Sequence, residues 1–145
     1  MSTQANKELI RRFYDEVWNK GNTAFVFQVF AENYVRHDLR TGTPPTGPAG
    51  QKQVADDFRA AFPDLEYRVD MLVAENDLVV ARWTMRGTNT GQWGKVPATN
   101  RTINVSGVNI FRLENGKVVE IWNHRDDLGM REQLDAPIYA GSNRT

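Results

Sequence analysis

Leu78-Val79-Val80-Ala81-Arg82-Trp83-Thr84-Met85-Arg86-Gly87-Thr88 is the stretch on which the fold turns. Val79, Ala81, Trp83 and Met85 fall on one parity, and Arg82, Thr84 and Arg86 on the other. Period two belongs to a β-strand, whose successive side chains point to opposite faces. The stretch therefore predicts a strand with its apolar face on a core and its polar face turned away. The same period runs through Leu65–Ala74, Thr102–Leu113 and Val118–Arg125. The turns Glu75-Asn76-Asp77 and Glu114-Asn115-Gly116 join these runs as hairpins. On the third run Ile103, Val105, Gly107, Asn109 and Phe111 share the inner face, while Thr102, Asn104 and Ser106 lie opposite. A long antiparallel sheet follows.

Upstream, the period changes to that of a helix. From Thr3 to Lys20, Leu9, Ile10, Phe13, Tyr14, Val17 and Trp18 draw one apolar stripe, with Lys7, Glu8, Arg11, Arg12, Asp15 and Glu16 outside it. Gly21 predicts the stop, and Thr23 predicts a cap for a second short helix through Phe25, Val26, Val29 and Phe30. Tyr34–Asp38 reads as a short edge strand carrying His37. Thr41–Gly50 holds three glycines and three prolines among threonines, which predicts a loop long enough to act as a flap. Gln51–Phe62 predicts a third amphipathic helix with Val54, Phe58 and Ala61 inward, ended by Pro63. Helices first and strands second make the class α+β, with three N-terminal helices gathered on one face of the sheet. The Asn89–Arg101 connection, with Trp93 at its middle, is a second candidate rim of a pocket. The chain reads as a single domain, 1–145, with an ordered core over about 5–135 and a polar tail, Ala136–Thr145, expected to fray.

Composition narrows the function. Equal counts of 18 acidic and 18 basic residues leave no global field for nucleic acid or an anionic membrane, so neither is an expected partner. No apolar run approaches the roughly 20 residues of a membrane helix, and the polar start does not resemble a signal peptide. The absence of cysteine excludes disulfides and thiol catalysis and fits a cytoplasmic protein. Four tryptophans, seven phenylalanines and four tyrosines suffice to line a pocket for an apolar small molecule, or simply to fill a core. No phosphate loop or nucleophile elbow is present. His37 and His124 with nearby aspartates would hold a metal only if the fold gathered them, so no metal is expected.

The segment Gly116-Lys117-Val118-Val119-Glu120-Ile121-Trp122-Asn123-His124-Arg125-Asp126-Asp127-Leu128-Gly129 gathers the titratable groups. A strand end can set an acid or base at the rim of a concave site while the sheet holds it still. The plainer reading is a solvated strand exit with surface ion pairs. Trp83, Phe111 and Trp122 divide in the same way between pocket wall and core. Asn109 among apolar neighbours needs partners wherever it points, and can orient a ligand or serve structure alone.

Three features together resemble a known family: the segment Ala61-Phe62-Pro63-Asp64-Leu65, the run Val80–Gly91, and the ending Glu120–Leu134. They are similar to the SnoaL-like polyketide cyclases and ester cyclases of the nuclear-transport-factor-2-like superfamily, over about residues 5–135. The resemblance implies a cone-shaped curved sheet wrapped on the helices, one deep apolar cavity, and a homodimer or higher homo-oligomer with sheets packed together. It implies cofactor-free ring closure by intramolecular aldol reaction on a polyketide ester. Such chemistry needs a base, a donor for the enolate oxygen and walls that fold the substrate. Aligned without gaps from Gly116-Lys117 to Gly129, the catalytic aspartate of the cyclases falls on Asn123; the resemblance puts its accompanying histidine on Asn109. An amide takes no proton at neutral pH. The carboxylate that keeps its place is Asp126, so the candidate acid–base set is Asp126 with His124 and His37. The candidate binding set is Trp83, Asn109, Phe111, Trp122, Asn123, Tyr14 and Trp93. Asp126 can instead cap a final helix near Asp127 and Leu128. Three functions remain open. They are a cofactor-free cyclase or isomerase, a hydroxylase-type relative working with a partner reductase, and a non-catalytic cavity protein.

Overall fold

The computed structural model describes residues 2–37 and 47–135. The expectations for Asp38, for Thr41–Thr46 and for the tail Ala136–Thr145 lie outside the described residues.

α1 (Thr3–Phe13) opens with the Ser2 hydroxyl accepting the Ala5 N–H at 3.0 Å. Its stripe continues past Phe13 in a π-helical segment, Tyr14–Asn19, instead of one α-helix to Lys20. The looser winding sends the Lys20 N–H five residues back to Asp15 O at 2.9 Å and leaves Tyr14, Val17 and Trp18 all buried. Gly21, at φ +77°, then ends the helix in the left-handed region that suits glycine.

Thr23 lies inside a 3₁₀ turn, Thr23–Phe25, and makes no cap hydrogen bond. α2 (Val26–Val29) is a single turn, because Phe30 already has extended backbone and starts β1 (Phe30–His37). α3 (Gly47–Ala61) includes residues expected as loop. It buries Gln51, Ala55, Phe58 and Ala61, while Val54 is half-buried instead of inward. Gln51 tolerates burial because its Oε1 accepts from Tyr34 Oη at 3.2 Å and from Arg36 Nη1 at 2.9 Å.

The strands match their expected ranges closely: β2 (Glu66–Glu75), β3 (Leu78–Thr88), β4 (Thr102–Glu114) and β5 (Lys117–Arg125). Their order across the curved five-stranded sheet is β1-β5-β4-β3-β2. β2 to β5 pair antiparallel, but β1 pairs parallel with β5, with His37 beside Trp122, so the sheet is mixed. α3 connects β1 to β2, the two opposite edges, and so runs across the inner face. A fourth helix, α4 (Asp127–Leu134), follows β5 and buries Met130 and Leu134. Gln133 ties it to β4, accepting from Asn104 N at 2.7 Å and donating to Asn104 O at 3.1 Å. Among the described residues no helix is long and apolar enough to cross a membrane.

Period two orders the packing as expected. Val79, Ala81, Trp83, Met85, Ile103, Val105 and Phe111 are buried under the helices. Arg82, Thr84 and Arg86 lie on the opposite, outer face. There Asp70 accepts from Thr84 Oγ1, Arg68 Nε and Arg82 Nη1 at 2.6–2.7 Å. Those bonds, the Thr84 hydroxyl first, hold its carboxyl at about 2.

Candidate functional site

Asn109 on β4 and Asn123 on β5 are partners in register, both on the inner parity of their strands. Asn109 is buried, as the apolar run around it dictates. Its carbonyl oxygen accepts two hydrogen bonds, from Tyr14 Oη at 2.6 Å and from Trp83 Nε1 at 2.7 Å. Its amide nitrogen donates to Asn123 Oδ1. Helix and three strands thus meet at one side chain, and every polar group of that side chain is used.

Gly107 makes room for this arrangement. A Cβ there would stand 2.4 Å from Trp83 Cζ2 and 2.7 Å from the His124 carbonyl, so only glycine lets the indole reach across to Asn109. Burial, with the Tyr67 ring nearby as a smaller contribution, pushes the Tyr14 hydroxyl well above its ordinary range. Tyr14 therefore acts as a donor, never as a phenolate, near neutral pH.

The inner face is not sealed around this chain. Trp18 keeps 8% of its surface exposed, Phe58 6%, Tyr67 8% and Asn109 8%, whereas Val79, Ala81, Met85 and Phe111 on the same side keep none. Asn123 is half-buried despite its inner parity. These partly exposed residues lie on the π-helical turn, α3, β2 and β4, with Asn123 on β5, and the inner gap is the place where those elements meet. Arg125, two residues past Asn123, borders it with a side chain 17% exposed. Its Nε donates to Asp127 Oδ1 at 2.5 Å, and its guanidinium lies 5.2 Å from the Phe58 ring centre and 5.4 Å from that of Trp93.

The candidate residues divide across the sheet. Tyr14, Trp83, Asn109 and Asn123 come together on the inner face. Phe111 belongs to that side but is fully buried among Phe13 and Tyr14. Trp93 sits on the Asn89–Arg101 connection over Arg125 and Arg131. Buried Asn89 anchors that connection, its Oδ1 accepting from Thr99 N and Oγ1. His37, Trp122 and His124 lie on the outer face. His37 stacks on Trp122 at 5.2 Å and bonds Glu120 Oε2 at 2.7 Å. Arg112 Nε holds the other Glu120 oxygen at 2.9 Å. His37 first, then Arg112, lower the Glu120 carboxyl. Asp126 is exposed and caps α4, accepting the Gly129 N–H at 2.9 Å. The sheet thus separates both histidines from the amide chain, and the structure does not bring Asp126 against Trp83 or a histidine. The parity of β5 accounts for this: Glu120, Trp122 and His124 face out, whereas Ile121, Asn123 and Arg125 face in. Arg125 and Tyr67 are the inner-face residues that the sequence reading passed over. Among the described residues no cluster of three His, Cys, Asp or Glu side chains is placed to hold a metal ion.

A family model for SnoaL-like polyketide cyclases matches residues 8–134. The chain belongs to the SnoaL-like polyketide cyclase family. Its fold is the nuclear-transport-factor-2-like fold of that family's solved structures. TsrD from Streptomyces laurentii is 26% identical, with a TM-score of 0.85 over 94% of this chain and 99% of that one. A candidate polyketide cyclase from Acidithiobacillus ferrooxidans is 31% identical, with a TM-score of 0.79 over 93% and 98%. IdmH from Streptomyces antibioticus, also a candidate polyketide cyclase, is 28% identical, with a TM-score of 0.77 over 90% and 99%. No curated protein sequence matches the chain.

Proposed function

We propose that this chain binds a polyketide-type ketone or ester against the inner face of its sheet. It holds the ligand by neutral hydrogen bonds and aromatic walls, without the aspartate–histidine proton transfer of the cyclases. The observation that carries this reading is the bond from Asn109 Nδ2 to Asn123 Oδ1, reinforced by Tyr14 and Trp83. At the two positions where the resemblance puts an acid and a base, two amides bond each other. Amides orient a carbonyl but move no proton near neutral pH. Family membership supports the ligand class, and the gap beside Tyr67 and Asn109 supports access.

The cofactor-free cyclase or isomerase, with Asp126 as base and His124 or His37 as partner, is the alternative, supported by the family match. Titration of the protein with 2-acetonaphthone, a neutral aromatic ketone, followed by tryptophan fluorescence, separates the two. The binding reading expects saturable quenching that weakens about tenfold in Asn109→Leu. It also expects no ring closure above background when a cyclisable polyketide ester is incubated with the protein. Ring closure by the wild type that disappears in Asp126→Asn would overturn it in favour of the cyclase.

A further inference from the structure

Two polar groups at the inner gap are built as if to receive a ligand, and the amide chain uses neither. The first is the Tyr67 hydroxyl. Its ring stacks on Trp18 at 5.2 Å and tilts against Trp83 at 4.9 Å and Tyr14 at 5.7 Å. Its backbone is pinned by Asn19, whose Oδ1 accepts the Tyr67 N–H at 2.6 Å and whose Nδ2 donates to the Tyr67 carbonyl at 3.0 Å. The residue is more than nine-tenths buried, yet its hydroxyl has no hydrogen-bond partner among the described residues. The hydroxyl oxygen is not one of the sealed, unpartnered polar atoms of the described residues, so a ligand beside it can reach it.

The second is the far edge of the Arg125 guanidinium. Asp127 occupies Nε, and Phe58 and Trp93 fix the plane. The two terminal nitrogens have no acceptor among the described residues. A guanidinium held this way offers two parallel N–H donors, the geometry that matches a carboxylate.

We propose that Tyr67 and Arg125 form an anion-recognition site at the edge of the inner gap, and that the ligand carries a carboxylate seated on them beside its ketone. This rests on the binding reading above and narrows it from a ketone or ester to an aromatic keto acid. The walls suit such a molecule: Trp18 and Trp83 supply flat apolar surface beside Tyr67, and Phe58 and Trp93 supply it beside Arg125. The electrostatics agree with the geometry. Burial raises the Tyr67 hydroxyl, and the positive fields of Arg125 and Arg36 pull against that rise. Arg36 reaches the same region from the inner parity of β1, with Nη1 on Gln51. Asp127 is the carboxylate that faces Arg125, and it covers Nε alone.

The test compares three probes by isothermal titration at neutral pH: 2-naphthoic acid, its methyl ester and 2-acetonaphthone. The wild type should bind the acid about tenfold or more tightly than the ester, as expected for charge-assisted bonds in a partly buried site. Tyr67→Phe should reduce that preference. Arg125→Gln combined with Asp127→Asn, which strands no buried carboxylate, should abolish it, the acid falling to the affinity of the ester. Binding of ester and ketone with no preference for the acid, or a preference that survives the double variant, overturns the anion site and leaves the binding reading standing. Failure of all three probes to bind overturns both.

Discussion

The Tyr14 hydroxyl donates to Asn109 Oδ1 at 2.6 Å across 95 residues of chain, joining the end of the first helix to the middle of the sheet. Because Trp83 donates to the same oxygen, the two bonds are unequal in what their loss exposes. Tyr14→Phe removes one donor and leaves Asn109 satisfied, so it should cost about 1 kcal/mol. Asn109→Leu takes the acceptor from the Tyr14 hydroxyl and the Trp83 N–H together. It should cost about 2 kcal/mol or more, measured by urea unfolding. Equal losses would mean that the amide contributes no more than a single bond.

The alkaline titration follows from the same burial. The folded state raises both Tyr14 and Tyr67, so it favours their protonated forms. The stability this contributes is fully present below the unfolded tyrosine pKa of about 10 and is lost as pH rises through the folded values. Ultraviolet titration of phenolate should therefore show a late class that ionises only with unfolding, one group smaller in Tyr14→Phe. A single ordinary tyrosine transition in the folded protein would contradict the buried cluster.

Gly107→Ala tests the space given to the indole. Its Cβ would meet Trp83 ring carbons and the His124 backbone carbonyl, and the backbone cannot move aside. Overpacking of this kind costs roughly 1–3 kcal/mol. The shifted indole should also release Asn109, visible as a change in Trp83 fluorescence. An unperturbed spectrum with wild-type stability would count against the close contact.

Much of this was legible in the sequence because period two is a local property. Val79, Ala81, Trp83 and Met85 declared their face, and so did Ile103 to Phe111. Three things were not legible. The parallel pairing of β1 depends on where α3 carries the chain, a long-range matter that no local pattern encodes. The π-helical winding at Tyr14–Asn19 keeps the same apolar stripe as an α-helix. Arg125 and Tyr67 were passed over because a charged residue and a tyrosine near a strand end read as surface. Parity alone would have put Arg125 inside with Ile121 and Asn123, and His124 outside.

The outer face predicts association. Val35, Met71 and Val73 are 51%, 59% and 60% exposed on it, beside half-buried Val108, Ile110 and Trp122, more apolar surface than a solvated sheet face needs. A face-to-face homodimer should form, the commonest closed assembly. Met71→Glu with Val73→Lys should shift it to monomer in light scattering without loss of cooperative melting. A wild-type monomer at high micromolar concentration would refute this.

Asp126 carries the choice between binding and acid–base catalysis. Its carboxylate accepts the Gly129 N–H at 2.9 Å, its carbonyl accepts from Met130 N at 3.0 Å, and its own N–H reaches Ser106 O at 3.3 Å. A Cβ on Gly129 would stand 2.2 Å from its Oδ2, so the turn is fitted closely around the cap. Asparagine is as good a cap as aspartate, and Asp126→Asn should change stability by less than about 1 kcal/mol. On the binding reading it should also leave the affinity for 2-acetonaphthone unchanged. A general base contributes about 10²–10⁴ in rate. If the wild type closes a polyketide ring and the folded Asp126→Asn variant loses turnover by that factor, Asp126 is the base and the cap is its scaffold. If binding and stability both survive and no turnover is at stake, the aspartate serves the helix, and function rests on Tyr14, Trp83, Asn109 and Asn123.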